Sequence, residues 1–229
     1  MNDDLKTALV AGANGLVGQQ LLTALCEASE YRRVYALTRR PLTRDHARLA
    51  NRIVRFDRLE AELKGMTCTE AFCCLGTTIR EAGSEAAFRA VDRDLVLAFA
   101  RAARAAQAQR FVLVSAAGAD AHSRSFYLRV KAEAEAGVIA LGFPAIDIMQ
   151  PGLLLGTRRE LRPLELFAQW TLPIAAPLMV GRLQMWRPVG AATLARAMLG
   201  AARSGRRGVM RFTWRAITTL AAGQASRRV

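Results

Sequence analysis

Apolar, β-rich runs recur at 7–12, 33–38, 51–55, 70–75, 110–115 and 144–149. Between most of them, at about 16–29, 57–64, 84–107 and 123–141, apolar residues fall at helical spacing. Strands that alternate with helices build right-handed crossovers, so the strands run parallel and the helices cover both faces of one sheet. The expected class is therefore α/β, a doubly wound parallel sheet. Ligands of such a sheet collect at the carboxyl ends of its strands, and the chemically suggestive residues of this chain fall there. Past Pro151 the pattern loosens into a Pro- and Trp-containing stretch, then a helix near 190–203 and a strand at 208–213. The chain has 229 residues and no Pro/Ser-rich linker or internal repeat. It reads as one domain, with a core over about 6–150 and a small substrate-side and C-terminal region over about 151–229.

The first strand leads into "LVAGANGLVGQQLL", residues 9–22, which gives up side chains at Gly12, Gly15 and Gly18. A strand turning into a helix accounts for one glycine better than for three. Three suit a turn at Gly12, a close approach of backbone to a pyrophosphate at Gly15, and packing of helix on strand at Gly18, with the pyrophosphate facing the helix N–H groups. The spacing departs from the standard G-x-G-x-x-G fingerprint, so the plain strand–turn–helix stays open on these residues alone.

The second strand ends in "YALTRRPL". About twenty residues past the glycines, an acid would accept from the ribose 2′-hydroxyl of NAD, whereas arginine suits the 2′-phosphate of NADP. Thr38, Arg39 and Arg40 stand there without a carboxylate. NADP(H) is therefore favoured over NAD(H), because a guanidinium fork matches phosphate geometry, and the competing reading is a solvated arginine pair. Asp57, just after the third strand, either meets the adenine edge or caps the next helix.

"FYLRVK", residues 126–131, places Tyr127 and Lys131 four apart on one helix face. An ammonium at about 4–5 Å contributes roughly 3–4 kcal/mol at an effective dielectric of about 20, which favours a phenolate and equips the tyrosine for proton transfer at a carbonyl or alcohol oxygen. The chain has only Lys6, Lys64 and Lys131, so such a pair seldom arises by chance. His122, alone in a loop, reads as a surface residue.

The formal net charge is +14, and no acid follows Glu165 while ten arginines run from Arg182 to Arg228. That tail points to anionic partners, namely acidic lipid, nucleic acid bound without sequence specificity or a phosphate-bearing ligand, through weak surface contact, and the competing reading is a general arginine bias that accounts for much of it. Cys26, Cys68, Cys73 and Cys74 lack zinc-ligand spacing and read as reduced core thiols; no metal site is expected. The start, "MNDDLKTALVAGANG", is acidic where a secretory signal would be basic, so a cytoplasmic location is expected.

The glycines, Arg39 and the Tyr127/Lys131 pair, taken in order, resemble the short-chain dehydrogenase/reductase superfamily. Within it the chain is most similar to the atypical branch of Tat-interacting-protein-like and oxidoreductase-like proteins. "CCLGTT" at 73–78, "AGSEAAFRAVD" at 82–92, "FVLVSAAGADAHSRSFYLRVKAEAE" at 111–135 and "QPGLLLGTRRELRP" at 150–163 carry the likeness, over roughly residues 6–200. The resemblance implies a Rossmann-type sheet and NADP(H) binding. It adds Asn14, Leu16, Val17, Leu75, Gly76, Thr77 and Pro151 to the glycines, arginines and Asp57 as cofactor contacts. It makes Tyr127 the proton donor or acceptor, and gives Lys131 both a bond to the nicotinamide ribose and a role in lowering the tyrosine pKa. Relatives commonly place a serine second or third in a Ser-rich run after the fifth strand, where this chain has Ser115, Ala116 and Ala117. Either Ser115 serves, or Ser123 or Ser125 reaches in, or the third group is missing.

The function these readings imply is an NADP-dependent oxidoreductase acting on a small carbonyl or alcohol. Its rivals are an NADPH-binding regulatory or scaffold protein with little catalysis, and a membrane-surface protein using the basic tail and the apolar stretch 166–187. That stretch is too short and too Pro-interrupted to span a bilayer and reads as a lid or wall over the substrate, with Arg80, Gln150, Arg158 and Trp170 as further wall residues. Homodimerisation is left open.

Overall fold

The computed structural model describes residues 5–155 and 181–225. In chain order the elements are β1 (Lys6–Ala11), α1 (Leu16–Glu27), β2 (Tyr31–Thr38), β3 (Leu49–Ile53), α2 (Leu59–Glu62), β4 (Glu70–Cys73), α3 (Ile79–Ala82), α4 (Glu85–Arg89), α5 (Val96–Ala105), β5 (Arg110–Val114), α6 (Phe126–Ala140), β6 (Ala145–Met149), β7 (Leu154–Leu155), β8 (Val189–Gly190), α7 (Ala191–Arg203), β9 (Gly208–Phe212) and α8 (Trp214–Ala225). The main sheet runs β3-β2-β1-β4-β5-β6-β9 with every pairing parallel, while β7 and β8 form a separate two-stranded ribbon. Strand order reverses between β1 and β4, and at that switch the loops after the two strands part to leave a crevice.

Burial on both faces explains why β1 is apolar throughout. Ala8 and Val10 pack with Leu21 and Leu25 of α1, Leu194 and Met198 of α7 and Ile217 of α8; Leu9 and Ala11 pack with Leu59 of α2, Phe99 of α5 and Val138 of α6. Alternate residues of one strand thus serve two cores, as a sheet covered on both sides requires. The expected α/β class is the observed one.

Several elements differ from their sequence reading. The helix expected at 57–64 is a 3₁₀ turn, Phe56–Arg58, followed by one α-turn, because Phe56, Leu59 and Leu63 are its only buried anchors and Gly65 takes φ +79° just after them. The helix expected from 123 begins at Phe126; Ser123 Oγ instead accepts from the Ser125 N–H at 3.2 Å within the loop. The run expected at 84–107 contains a π-helical turn at Ala90–Leu95 between α4 and α5. Helix α8, beyond the last element read from the sequence, packs on α7. Arg158, Trp170 and most of the 166–187 stretch lie outside the described residues.

Counter-charges for the acid-free C-terminal region come from the earlier chain. Arg203 pairs with Glu30 and Arg211 with Glu135, while Arg187 stacks 4.7 Å from the Trp214 ring. At the amino end of the sheet Glu70 accepts from Lys6 Nζ at 2.7 Å and from the Tyr31 hydroxyl, and Arg110 pairs with Asp147. Burial, reinforced by the Glu70 charge, pushes Tyr31 well above the usual phenol range. Cys26, Cys68 and Cys73 are buried free thiols, and burial pushes Cys68 and Cys73 up to about 12, so neither offers a thiolate near neutrality.

A β-carbon on Gly18 would overlap the carbonyl oxygen of Gly12, a backbone atom that cannot rotate aside. Gly18→Ala should therefore lower stability by about 1–3 kcal/mol, the cost of overpacking. A fall in the urea midpoint at constant slope checks this; an unchanged midpoint would mean that α1 does not depend on this approach.

Candidate dinucleotide-binding and active site

Gly12 follows β1 with φ +80°, a conformation that favours glycine, and a β-carbon there would overlap the Cys74 carbonyl after β4. The chain then reaches Gly15, whose N–H donates to the Gly12 carbonyl at 3.0 Å and which stands as the N-cap of α1 without a side-chain cap. No acid occupies the first turn of α1. Its end therefore presents unsatisfied N–H groups and positive dipole to the crevice, which suits an anion.

The crevice has two halves that share Gly15, Cys74, Leu75, Gly76 and Thr77. One, of about 730 Å³, is lined by Gly12, Asn14, Thr38, Arg39, Arg40 and Phe56 among others. The other, of about 550 Å³, takes in Leu16, Val17, Asp92, Val114, Ser115, Tyr127, Lys131 and Pro151–Leu155. The first half leads from the uncapped helix end to the two arginines, and the second from the same helix end to the tyrosine and lysine. An uncapped helix end, a Gly15 with no side chain and a basic far rim fit an extended dinucleotide diphosphate.

Tyr127 and Lys131 rise from the first turns of α6, where Phe88 of α4 packs 5.4 Å from the Tyr127 ring. Lys131 is 6% exposed, its Nζ 5.9 Å from the Tyr127 ring centre. Its partner is Asp92 in the π-turn, 1% exposed, with Oδ1 2.7 Å from Nζ. Asp92 Oδ2 in turn accepts from the Thr77 N–H at 2.8 Å. Burial pulls the lysine pKa down, yet the Asp92 carboxylate outweighs it, and the result lies above the ordinary lysine value. The ammonium treated in the sequence as an isolated charge is thus half of an ion pair, which reduces the charge reaching the tyrosine oxygen.

Ser115, at the end of β5, is buried and donates its hydroxyl hydrogen to Glu135 Oε1 at 2.6 Å. Gln150 Nε2 donates to the same oxygen at 2.8 Å and Arg211 Nε to Oε2 at 3.1 Å. Toward the cleft the serine therefore offers lone pairs and no hydrogen. The hydroxyl of Tyr127 makes no hydrogen bond to another described residue.

The remaining candidates fall as follows. Asp57 is exposed, paired with Arg55 at 2.9 Å, and makes no capping bond; that hydrogen bond holds its carboxyl below the usual range, and the adjacent Phe56 lines the crevice instead. Gly18 touches only the turn behind it. Ser123 and His122 lie in the loop before α6, Arg80 is exposed on α3, and Gln150 is held in the glutamate cluster. Asp92 and Glu135 were missed. A signal existed for Glu135, which continues the four-residue spacing of Tyr127 and Lys131; Asp92 had none, since a regular helix would not have marked its phase.

The NAD(P)H-binding family model matches residues 12–145. Protein HTATIP2 of Rattus norvegicus is 38% identical over 168 residues, covering 72% of this chain and 69% of that protein. Protein fmp52, mitochondrial, of Aspergillus fumigatus is 34% identical over 197 residues, covering 83% and 84%. Among solved structures, the human epimerase family protein SDR39U1 with NADPH superposes with a TM-score of 0.61 at 17% identity, covering 96% of this chain and 80% of that one. MoeE5 in complex with UDP-glucose and NAD gives 0.66 at 18%, covering 96% and 82%. The chain belongs to the NAD(P)H-binding, oxidoreductase-like family of atypical short-chain dehydrogenases/reductases that includes HTATIP2 and FMP52, and its fold is Rossmann-like. The cytoplasmic expectation is corrected by the fungal relatives, which are named mitochondrial. It rested on an acidic start and free thiols, and neither feature separates the cytosol from other reducing compartments.

Removing one partner of a buried ion pair strands the other charge. Asp92→Ala should cost about 3–5 kcal/mol, while the Asp92→Leu/Lys131→Met double variant should recover most of that loss. Urea unfolding of the wild type and the two variants checks this, and a double variant no more stable than Asp92→Ala would show that the buried lysine does not depend on the carboxylate.

Proposed function

We propose that this protein is an NADP(H)-dependent oxidoreductase that interconverts a carbonyl compound and its alcohol, with Tyr127 giving or taking the proton at the oxygen. One observation carries the reading: the uncapped helix end and the Tyr127/Lys131 face open onto the same crevice at the carboxyl ends of the strands. When bound, the nicotinamide supplies or accepts the hydride.

The chain's own residues would do the rest. Gly12, Asn14, Gly15, Leu16 and Val17 would hold the diphosphate against the α1 end, Leu75, Gly76, Thr77 and Pro151 would line its path, and Arg39 and Arg40 would meet the 2′-phosphate. Lys131 has three N–H groups, and the bond to Asp92 leaves two for ribose hydroxyls. Asp92 fixes the lysine and, through the Thr77 N–H, the loop after β4. Ser115, its hydrogen committed to Glu135, acts as an acceptor, so Tyr127 is the hydrogen-bond donor aimed at the substrate oxygen.

Two outcomes test this. Tyr127→Phe removes one oxygen and keeps the ring on Phe88; it should cut turnover by at least about 10²-fold with NADPH affinity nearly unchanged. Stopped-flow turnover beside a cofactor titration checks it, and wild-type turnover in the variant would end the assignment. NADPH should bind at least about tenfold more tightly than NADH, since a charge-assisted arginine–phosphate contact contributes at least the roughly 1.4 kcal/mol that tenfold requires. Arg39→Ala should narrow that gap, and equal affinities in the wild type would remove Arg39 from the role.

A further inference from the structure

We infer that the substrate is an uncharged, apolar aldehyde or ketone with the reacting carbonyl as its one polar group. The inference rests on the oxidoreductase reading above. The half-crevice around Tyr127 is walled by Val114, Ile79 and Leu153–Leu155. Of its polar side chains, Ser115 is engaged with Glu135, Thr78 Oγ1 with the Glu81 N–H and Thr77 Oγ1 with Glu81 Oε2; Lys131 is paired with Asp92 and turns its remaining N–H groups to the ribose, which leaves the Tyr127 hydroxyl for the reacting oxygen. No arginine lines this half among the described residues, whereas Arg39 and Arg40 line the other. A phosphate or carboxylate placed here would lose its hydration without a free counter-charge, and a polyol would find few unengaged partners.

The mouth of this half is also apolar. Among the described residues the exposed large apolar side chains are few, and Ile79 and Leu153, 38% and 45% exposed, belong to this wall. Trp186 and Leu183, 41% and 58% exposed, sit on the 3₁₀ turn Gly181–Trp186. That turn is fitted to the same end. A β-carbon on Gly118, in the loop after Ser115, would meet the Trp186 ring at 2.8 Å, and one on Gly152 would meet the Trp186 carbonyl oxygen at 2.5 Å. Two glycines thus leave room for an aromatic turn beside the loops that carry Ser115 and Leu153. A cleft whose wall exposes apolar side chains such as Ile79 and Leu153 suits an apolar ligand.

The carbonyl carbon gains hydride from NADPH, its oxygen takes the Tyr127 proton, and solvent returns a proton to the tyrosine, leaving the primary or secondary alcohol and NADP⁺. The test is kcat/KM for straight-chain aldehydes from propanal to decanal, with glyceraldehyde and glyceraldehyde 3-phosphate as polar comparators, followed as NADPH oxidation. Each early methylene should raise kcat/KM about fourfold. Butanal should exceed glyceraldehyde by at least about tenfold, and Leu153→Asp should flatten the series. NADPH oxidation with a flat series, or with the polar compounds preferred, overturns the apolar substrate and leaves the oxidoreductase reading standing. If no carbonyl compound is reduced, that reading fails. Calorimetric titration of n-alcohols into the NADPH-loaded protein then decides the rest: affinity rising with chain length retains an apolar ligand site, and no binding overturns it.

Discussion

The buried contact between Asp92 and Lys131 fixes the end of the sheet where the crevice opens. It joins three segments far apart in sequence: the loop after β4 through the Thr77 N–H, the π-turn between α4 and α5, and the first turns of α6 that also hold Tyr127. Both charges are buried, so neither is stable without the other. A π-turn inserts an extra residue into a helix, shifting the phase of the side chains that follow, and such turns recur at functional sites. Here the shift accompanies an inward carboxylate in a run otherwise read as an ordinary amphipathic helix.

The same logic extends to Glu135. Buried on α6, it gathers the Ser115 hydroxyl, the Gln150 amide and the Arg211 guanidinium, drawing together β5, the end of β6 and the edge strand β9. This cluster gives Ser115 a defined hydrogen-bond sense, because an ionised carboxylate can only accept. It also links the crevice end of the sheet to the acid-free C-terminal region, whose arginines find Glu30 and Glu135 across long sequence separations. A tail that looks strongly basic when read linearly is partly neutralised once folded.

Sequence periodicity gave the strands and most helices because each strand serves two cores and each helix one, so apolar spacing survives in the text. It faltered where anchoring is thin. The expected helix at 57–64 shrinks to one α-turn on three buried side chains, and the helix from 123 starts three residues late where Ser123 engages backbone. Gly12 and Gly18 were legible because close backbone approaches leave only glycine as a choice. Asp57 was ambiguous on paper, and in the fold it turns to Arg55.

By itself the sequence determined the α/β class, the strand–glycine–helix turn and the spacing of Tyr127 and Lys131, because these depend on neighbours within a few residues. Only the tertiary structure decided what those residues face. The lysine answers to a carboxylate 39 positions earlier, counted from 92 to 131, and the serine to one 20 positions later. The apolar wall beside Tyr127 likewise emerges only when Ile79, Val114 and Leu153 are brought to one cleft. Pairings of that kind carry no periodic signal, since a buried charge selects its partner by distance in the fold and not along the chain.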